Sequence, residues 1–239
     1  MSDASIRLYF EHPLHMAQPV PLDLAQAHYL FSVMRRGVGD VLLGFNGQDG
    51  EWLLRIAEAG KKGGVVIPER QTRPQTAAPD LWLLFAPVKK ARTDFIVEKA
   101  VELGVSRLIP VQTDHTNSER MRQDKQMAHA REAAEQCGAL SVPPVDELTS
   151  LSKLLDRWPA ERQLAFCDEA ASAGSFLNAA RGPWAILIGP EGGFSARERE
   201  RLLEMAGVTR ISLGPRILRA ETAAIAAISL WQQALGDWT

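Results

Sequence analysis

The sequence predicts a two-domain α/β protein, in which a small β-barrel precedes a parallel sheet covered by helices. Three observations support this prediction: a run of short strands near the N-terminus, a polar and proline-bearing stretch after it, and a regular alternation of strands and helices over the remaining chain. We place the first domain at residues 1–72, the second at residues 80–239, and an interdomain linker at about residues 71–79.

The first domain shows the short, turn-bounded strands that are typical of a small barrel. The dipeptide Asn46-Gly47 separates two of these strands and tolerates the positive φ angles of a tight hairpin. One helix, over Asp23–Arg35, interrupts the strands. The predicted strands are Ile6–Phe10, Val41–Phe45, Glu51–Ala57 and Val65–Glu69.

After the linker Gln71–Pro79, strands and helices alternate, which predicts a parallel sheet with covering helices. Several strands are continuous apolar runs, as expected where both faces of a sheet are buried. The predicted strands are Leu81–Ala86, Arg107–Val111, Gln163–Cys167, Trp184–Ile188 and Arg210–Leu213. The predicted helices are Arg92–Leu103, Arg122–Cys137, Leu151–Trp158, Ala196–Met205 and Thr222–Leu235.

Composition and charge narrow the class of protein. No apolar run approaches the roughly 20 residues that span a bilayer, and the N-terminal Met-Ser-Asp-Ala-Ser lacks the features of a secretory signal, so we expect a cytoplasmic protein. Cys137 and Cys167 have no metal-ligand spacing, so we expect buried thiols and no metal site. The net charge of −2 argues against a protein that grips naked nucleic acid through phosphates, unless basic residues cluster locally.

Two glycine-containing loops, each between a strand and a helix, carry the strongest functional signal. The first, Gly189–Phe194, leads into a helix that Ser195 and Glu198 are expected to cap reciprocally. The second, Gly214–Glu221, follows the next predicted strand. Because open α/β sheets bind ligands at the carboxyl ends of their strands, we expect both loops to form one pocket. Neither loop matches a nucleotide-binding glycine motif, and the alternative is that the glycines serve tight turns alone.

The helix predicted after the second loop has an unusual composition. Thr222–Leu235 contains no charged residue and is rich in alanine, so we expect it to be buried nearly all round. Either the core of one subunit or a second copy of the chain is expected to cover it.

In order and spacing, the two loops resemble the motifs of the SPOUT methyltransferases. Within that superfamily the chain is similar to the RsmE family, which methylates N3 of a uridine in 16S ribosomal RNA of the small ribosomal subunit. The resemblance covers essentially the whole chain. It rests on Leu187–Ser195 with Glu198, Leu213–Thr222, Lys89-x-x-Arg92, Glu98–Val105, and Glu135–Gly138 followed by Val142-Pro143.

The resemblance implies a fold and an activity. The expected fold is an N-terminal PUA-like β-barrel that binds RNA, followed by a SPOUT α/β domain with a deep trefoil knot. The expected activity is S-adenosylmethionine-dependent rRNA (uracil-N3) methylation by a homodimer, without a metal. Two alternatives stay open: a SPOUT enzyme with a different target nucleotide, and a non-catalytic RNA-binding or ribosome assembly factor.

The resemblance also implies roles for individual residues. We expect Arg219 to stabilise the anion that forms when N3 loses its proton, Glu221 to orient Arg219, and Glu191 to act as a base or as a loop organiser. The residues expected to hold the cofactor are Leu187, Gly189, Pro190, Glu191, Gly192, Gly193, Leu213, Gly214, Ile217, Leu218, Arg219 and Thr222, with Phe166–Glu169 as a third wall. The residues expected to contact RNA are Arg7, Arg35, Arg36, Lys89, Lys90 and Arg92.

At three positions the chain departs from the family's pattern. Val101 stands where threonine is expected, while His115 and Ala139 stand where arginine is frequent and therefore reduce the basic surface. A further basic cluster consists of Arg120, Arg122, Lys125 and Arg131. For any single cluster the alternative is a solvated helix face.

Overall fold

The computed structural model of the chain describes residues 6–60, 62–117, 121–171 and 174–238, so that Arg120 lies outside the described residues. The chain divides into two compact units. The first comprises Met1–Ala77 with Ala134–Val142, and the second comprises Ala78–Ala133 with Pro143–Thr239. The first unit therefore includes a segment that returns to it from far along the chain, which the linear division expected from the sequence does not anticipate.

The first unit contains a five-stranded sheet with the order β1-β3-β4-β5-β2. Strand β1 pairs with β3 in parallel, whereas the other neighbours are antiparallel. The strands are β1 (Arg7–Tyr9), β2 (Val20–Leu22), β3 (Val41–Phe45), β4 (Glu51–Gly60) and β5 (Gly63–Arg73). Fully buried aromatic and aliphatic side chains, including Phe10, Leu30 and Leu54, form the core of this unit. All four predicted strands are present, and β3 has the predicted bounds.

Three local features of the first unit differ from the sequence prediction. The helix predicted over Asp23–Arg35 is a single α-helical turn, α1 (Leu24–Ala27), followed by a π-helix over His28–Val33. Strand β2 was not predicted, because its central proline is tolerated only at an edge such as the one it occupies. The assignment of Gln71–Arg73 to the linker is wrong, because β5 continues through these residues to pair with the start of β4.

Arg7 lies in the interior of the first unit rather than on an open surface. Its Nε donates to the Glu51 carboxylate at 2.7 Å, and its two terminal nitrogens donate to the carbonyl oxygens of Ala134 and Ala139. The guanidinium also stacks on the Phe45 ring at 3.9 Å, and the side chain is only 9% exposed. A charge this buried needs such partners. Arg7 therefore fastens the 134–142 segment to the sheet, which does not fit the RNA contact predicted for it.

The β3–β4 connection is a five-residue loop that its own side chains stabilise. The side-chain Oδ1 of Asn46 accepts hydrogen bonds from the backbone amides of Gln48 and Asp49, while Gly47 adopts a φ of +82°. The Asp49 carboxylate accepts from the Leu14 amide at 2.9 Å and from the Asn46 side chain at 2.7 Å. The Leu14 amide, together with Asn46 and His15, holds the pKa of Asp49 below its ordinary value of 3.8, against the opposing effect of burial.

We expect Asp49→Asn to destabilise the protein by about 1 kcal/mol near pH 7, because an amide oxygen accepts the same bonds without the assistance of a charge, at a partly exposed site. The folded-state pKa of Asp49 is lowered, so this stabilisation is present above pH 3.8 and is lost as the pH falls through the folded pKa. Chemical denaturation at several pH values measures the difference. A gap between the two proteins that widens below pH 3.8 would contradict the assignment.

The second unit contains a six-stranded sheet with the order β11-β9-β10-β6-β7-β8, and every neighbouring pair is parallel. The strands are β6 (Leu81–Phe85), β7 (Arg107–Gln112), β8 (Thr149–Ser150), β9 (Gln163–Cys167), β10 (Trp184–Ile188) and β11 (Val208–Ile211). The helices are α2 (Lys90–Glu102), α3 (Gln123–Cys137), α4 (Leu151–Leu155), α5 (Ala196–Glu204) and α6 (Ala220–Leu235), and the end of α3 from Ala134 onward belongs to the first unit. The predicted parallel sheet with covering helices is confirmed, and β9 and β10 have the predicted bounds.

Strand β11 and helix α6 both begin two residues earlier than predicted. Leu213 therefore lies in the loop, whereas Thr222 lies inside the first turn of the helix. Helix α6 packs on α2, and the buried Gln232 donates to the carbonyl oxygen of Leu103 at 2.6 Å. Leu230 on the same helix is 50% exposed, so the expectation of burial nearly all round is not met by one chain.

Two expectations from composition concern membranes and thiols. Among the helices that the structure describes, none combines the length and the apolar character required to cross a membrane. Cys137 is exposed at the end of α3, so the prediction that it is buried is wrong, while Cys167 is half-buried at the end of β9.

Candidate functional site

The two glycine-containing loops meet in one cavity of about 270 Å³ at the carboxyl edge of the parallel sheet. Strands β9, β10 and β11 are in register there, with Leu187 beside Phe166 and Phe166 beside Arg210. The cavity is lined by the first loop (Gly189–Phe194), by the end of β9 (Cys167–Glu169) and by residues 213–218 of the second loop, except Pro215. This is the arrangement expected from the carboxyl-edge rule for α/β sheets.

Most residues that were predicted to hold a cofactor line this cavity, and three do not. Those that line it are Gly189, Pro190, Glu191, Gly192, Gly193, Leu213, Gly214, Ile217 and Leu218. Leu187 is fully buried in the hydrophobic core, Arg219 is exposed at the N-cap of α6, and Thr222 is exposed on that helix. Leu187 lies on a strand that is buried on both faces, and α6 begins two residues earlier than predicted, so that Arg219 and Thr222 belong to the helix start rather than to the loop.

The glycines of the first loop are required by close contacts. A Cβ on Gly189 would lie 2.6 Å from the Phe194 ring, which itself packs edge-to-face on Phe166 with 5.1 Å between ring centroids. Gly193 has a φ of +64°, and a Cβ there would lie 2.7 Å from the Glu169 carboxylate. The loop backbone therefore lies directly against the cavity wall, where a larger residue has no room.

The first loop is held in place from both ends. The predicted capping box is confirmed: Ser195 accepts from the Glu198 amide at 3.3 Å, and Glu198 accepts from the Ser195 amide at 2.9 Å. The Ser195 hydroxyl donates to Asp114, whose own amide donates to Glu198 at 2.9 Å. His115 Nδ1 lies 3.0 Å from the Gly192 carbonyl oxygen.

The supporting roles of Asp114 and His115 were not found in the sequence. Both residues follow the carboxyl end of β7, so the carboxyl-edge rule could have indicated them. His115 braces the glycine-containing loop through the Gly192 carbonyl oxygen.

Arg92 connects the two loops. Its Nη1 is hydrogen-bonded to Glu191 of the first loop, and its Nε lies 3.5 Å from Glu221, which begins the helix after the second loop. Glu221 was predicted to pair with Arg219, but in the structure its ion-pair partner is Arg92. The side chain of Glu221 is only 15% exposed, and its Oε2 is buried without a hydrogen-bond partner among the described residues.

The end of β9 contributes a buried charged group to the cavity wall. Asp168 has a fully buried side chain that accepts from Arg199 and Arg210, each at 2.8 Å. Although the residue as a whole is half-buried, the Cys167 thiol itself is enclosed, and this burial raises its pKa to about 12, so the thiol is neutral and not a thiolate nucleophile. The cluster of Asp168, Arg199 and Arg210 therefore stabilises this wall of the cavity, and the Asp168 carboxylate already accepts hydrogen bonds from both arginines.

The remaining predicted basic residues are distributed over both units. Lys89 and Lys90 are exposed at the start of α2, on the second unit. Arg35 is exposed on the first unit with a φ of +54°, and Arg36 is half-buried with its Nε lacking a partner among the described residues. Within the same residues, no three metal-ligating side chains lie close enough together to hold a metal ion.

Comparison with known families places the chain in the class of RNA methyltransferases. The RNA methyltransferase domain family matches residues 75–232, and the RNA methyltransferase PUA domain family matches residues 22–69. Among individual proteins, a ribosomal RNA small subunit methyltransferase E from Rickettsia conorii is 30% identical over 232 residues, covering 93% of each chain. That from Bacillus subtilis is 29% identical over 221 residues, covering 85% of this chain and 86% of the relative.

Solved structures agree with the sequence relatives. The crystal structure of a ribosomal RNA small subunit methyltransferase E from Neisseria gonorrhoeae, bound to S-adenosyl methionine, is 28% identical and superposes with a TM-score of 0.89. The superposed region covers 98% of this chain and 99% of the chain from Neisseria gonorrhoeae. The chain belongs to the ribosomal RNA small subunit methyltransferase E family.

We expect Gly189→Ala to destabilise the protein by about 1–3 kcal/mol, because the new methyl group collides with the packed Phe194 ring. Gly37→Ala is the matched control, since a Cβ at Gly37 meets no atom within 4 Å. Urea denaturation of the two variants and the unchanged protein measures the effect. Equal midpoints for Gly189→Ala and Gly37→Ala would show that the loop backbone is not confined.

Proposed function

We propose that this protein transfers the methyl group of S-adenosylmethionine to N3 of a uridine in 16S ribosomal RNA of the small ribosomal subunit. The observation that carries the proposal is the single cavity that two glycine-containing loops form at the carboxyl edge of the parallel sheet. The relative from Neisseria gonorrhoeae, which superposes over nearly the whole chain, is bound to S-adenosyl methionine. The protein is thus a methyltransferase that uses this cofactor.

The residues that line the cavity fit such a cofactor. Ligand sites combine mostly apolar walls with a few polar anchors. Here Ile188, Ile217 and Leu218 supply apolar surface, while the backbone of Gly192 and Gly193 lies at the wall without side chains in the way. S-adenosylmethionine supplies a methyl group on a sulfonium when bound. The chain's own task is to orient the acceptor and to exclude water.

Methylation at N3 requires that the imide proton leave, so a positive group near the uracil carbonyls and a proton acceptor are both needed. Arg219 is exposed at the N-cap of α6 and forms no ion pair within the described residues, so its guanidinium is available for the first role. Glu191 lines the cavity with 51% of its side chain exposed and is oriented by its ion pair with Arg92, so we assign it to the second role through the carboxylate oxygen that Arg92 does not hold. Arg92, rather than Arg219, fixes Glu221, so we assign Arg92 to positioning and Glu221 to support.

The proposal includes finer features of the fold and its setting. We expect the sheet of the first unit to be a PUA-like barrel that binds RNA, and the second unit to be a SPOUT domain with a deep trefoil knot. A substrate in the small ribosomal subunit would place the protein in the cytoplasm. A SPOUT enzyme with another target nucleotide is the alternative, and the nucleotide that carries the transferred methyl group decides between them.

We also propose a homodimer that uses the uncharged surface of α6. Leu230 on this helix is 50% exposed, and the half-buried Ile225, Ala226 and Ser229 extend the same uncharged surface. We expect the protein to sediment as a dimer and Leu230→Asp to sediment as a monomer, because a carboxylate would be desolvated at the interface. Leu203→Asp on α5, where the leucine is also 50% exposed, is the matched control. If Leu230→Asp stays as dimeric as the control, α6 is not the interface.

Methyl transfer itself is tested with labelled S-adenosylmethionine and small ribosomal subunits that lack their own methylations. We expect label at N3 of one uridine. Arg219→Ala is expected to lower kcat by at least 10²-fold while leaving the dissociation constant of the donor within about twofold, because its charge acts on the acceptor. Arg157→Ala, at an exposed arginine after α4, is the control and is expected to retain full activity.

Different failures of this experiment have different meanings. If the protein neither transfers label nor binds the donor in isothermal titration, the proposal that it is a methyltransferase is wrong. Full turnover by Arg219→Ala would remove the catalytic assignment of Arg219 alone. Label at another atom would show that the protein is a methyltransferase with a target other than N3 of uridine.

A further inference from the structure

A second cavity in the same unit carries features of a ligand site that the proposed reaction does not yet use. It has a volume of about 280 Å³ and lies between the starts of α2 and α3. Pro87 and Val88 after β6 form one wall, while Lys90, Lys125 and Gln126 approach from the two helices. Its volume is close to the lower end of the range for small-molecule sites, which suits one nucleotide unit.

Gln126 presents an unpaired acceptor at this cavity. Gln126 is 4% exposed, and its Nε2 donates to Asp94 Oδ1 at 2.7 Å, which fixes the orientation of the amide. The remaining Oε1 is buried and has no hydrogen-bond partner among the described residues. Buried polar atoms are nearly always paired in native proteins, so this atom has an acceptor position that a ligand's donor can fill.

The charge around the cavity favours an anionic ligand. Lys90 and Lys125 line it and form no ion pair within the described part of the chain, and the described lining residues include no carboxylate. Arg122 is the third cation and is held by Asp124, with Nε and Oδ1 3.1 Å apart. Two available ammonium groups next to a buried acceptor match a phosphate joined to a group that donates a hydrogen bond.

The position of this cavity relates it to the methyl donor site. A third cavity, also of about 280 Å³, shares Pro87, Val88 and Lys90 with it. That third cavity in turn shares Pro190 and Glu191 with the cavity of the glycine-containing loops. The three therefore follow one another along the same surface, and the cavity of Gln126 is the one farthest in this series from the donor site.

We propose that the cavity of Lys90, Lys125 and Gln126 binds a ribonucleotide that flanks the methylated uridine. The two lysines contact its phosphate, and Gln126 Oε1 accepts a hydrogen bond from its ribose 2′-hydroxyl, the group by which proteins tell RNA from DNA. The inference rests on the proposed function for the identity of the RNA. The cavity between this one and the donor site then receives the target base.

The phosphate contact is tested by retention of undermethylated small subunits on filters at several salt concentrations. We expect Lys125→Ala to reduce the slope of log affinity against log salt by about one, since one phosphate contact is lost. Lys153→Ala, at an exposed lysine on α4, is expected to keep the full slope. Equal slopes for the two variants would overturn the phosphate contact. Lys125 is a surface residue, so this arm does not depend on the buried substitution below.

The 2′-hydroxyl contact is tested by competition between the subunits and oligouridylate or oligodeoxyuridylate. We expect the unchanged protein to prefer the ribose form by about fivefold, the typical effect of one hydrogen bond, and Gln126→Leu to lose this preference. Thermal unfolding and donor titration show whether the variant is still intact. Equal inhibition by both oligonucleotides in the unchanged protein, or a preference that persists in an intact Gln126→Leu, would overturn the contact.

These binding measurements are separate from catalysis. If no methyl group is transferred and no donor is bound, but the salt slope and the ribose preference change as expected, the proposed methyl transfer fails and the RNA subsite stands. If methyl transfer proceeds but neither the salt slope nor the ribose preference changes as expected, the proposed RNA subsite is wrong while the proposed methyltransferase activity is supported.

Discussion

The site depends on one guanidinium group that joins two loops from different parts of the chain. Arg92 reaches Glu191 of the first loop and Glu221 after the second, with only 29% of its side chain exposed. Without it, two carboxylates would face each other, one of them with little access to water, and a partly buried unpaired charge is costly. The spacing of the loops, and so the width of the cavity between them, therefore depends on where α2 begins. That position is set in turn by β6, which pairs in register with β10.

Much of the fold could be predicted because its signals are local. The apolar runs Gln163–Cys167 and Trp184–Ile188 have exact bounds, since a strand buried on both faces leaves an unbroken pattern. Short or distant features left no such pattern. Strand β8 has only two residues, and the bond from Arg7 to the Ala134 carbonyl joins positions 127 apart. An isolated arginine near a strand looks the same in the sequence whether it faces RNA or a buried carboxylate.

The position of the candidate site could be predicted from the sequence, but many of its side-chain contacts could not. Loops at the carboxyl ends of neighbouring parallel strands must share an edge, so the glycines of both loops could be placed together. Side-chain partners depend on distances across the sheet, and the pairing of Glu221 with Arg92 instead of Arg219 is one result. The bracing of Ser195 by Asp114 is another, because the two residues lie 81 positions apart. The sequence indicates residues that contact RNA only through scattered basic clusters. The unpaired side-chain oxygen of Gln126 can be recognised only from the structure.

Hydrogen exchange with and without S-adenosylmethionine tests most directly whether the two loops hold the methyl donor. We expect slower exchange of backbone amides in Gly189–Phe194 and in residues 213–218 when the donor is added, with little change in the first unit. Both loops should respond together, because they line the same cavity. Protection confined to one loop, or found instead at Lys125 and Gln126, would contradict the assignment of the donor site.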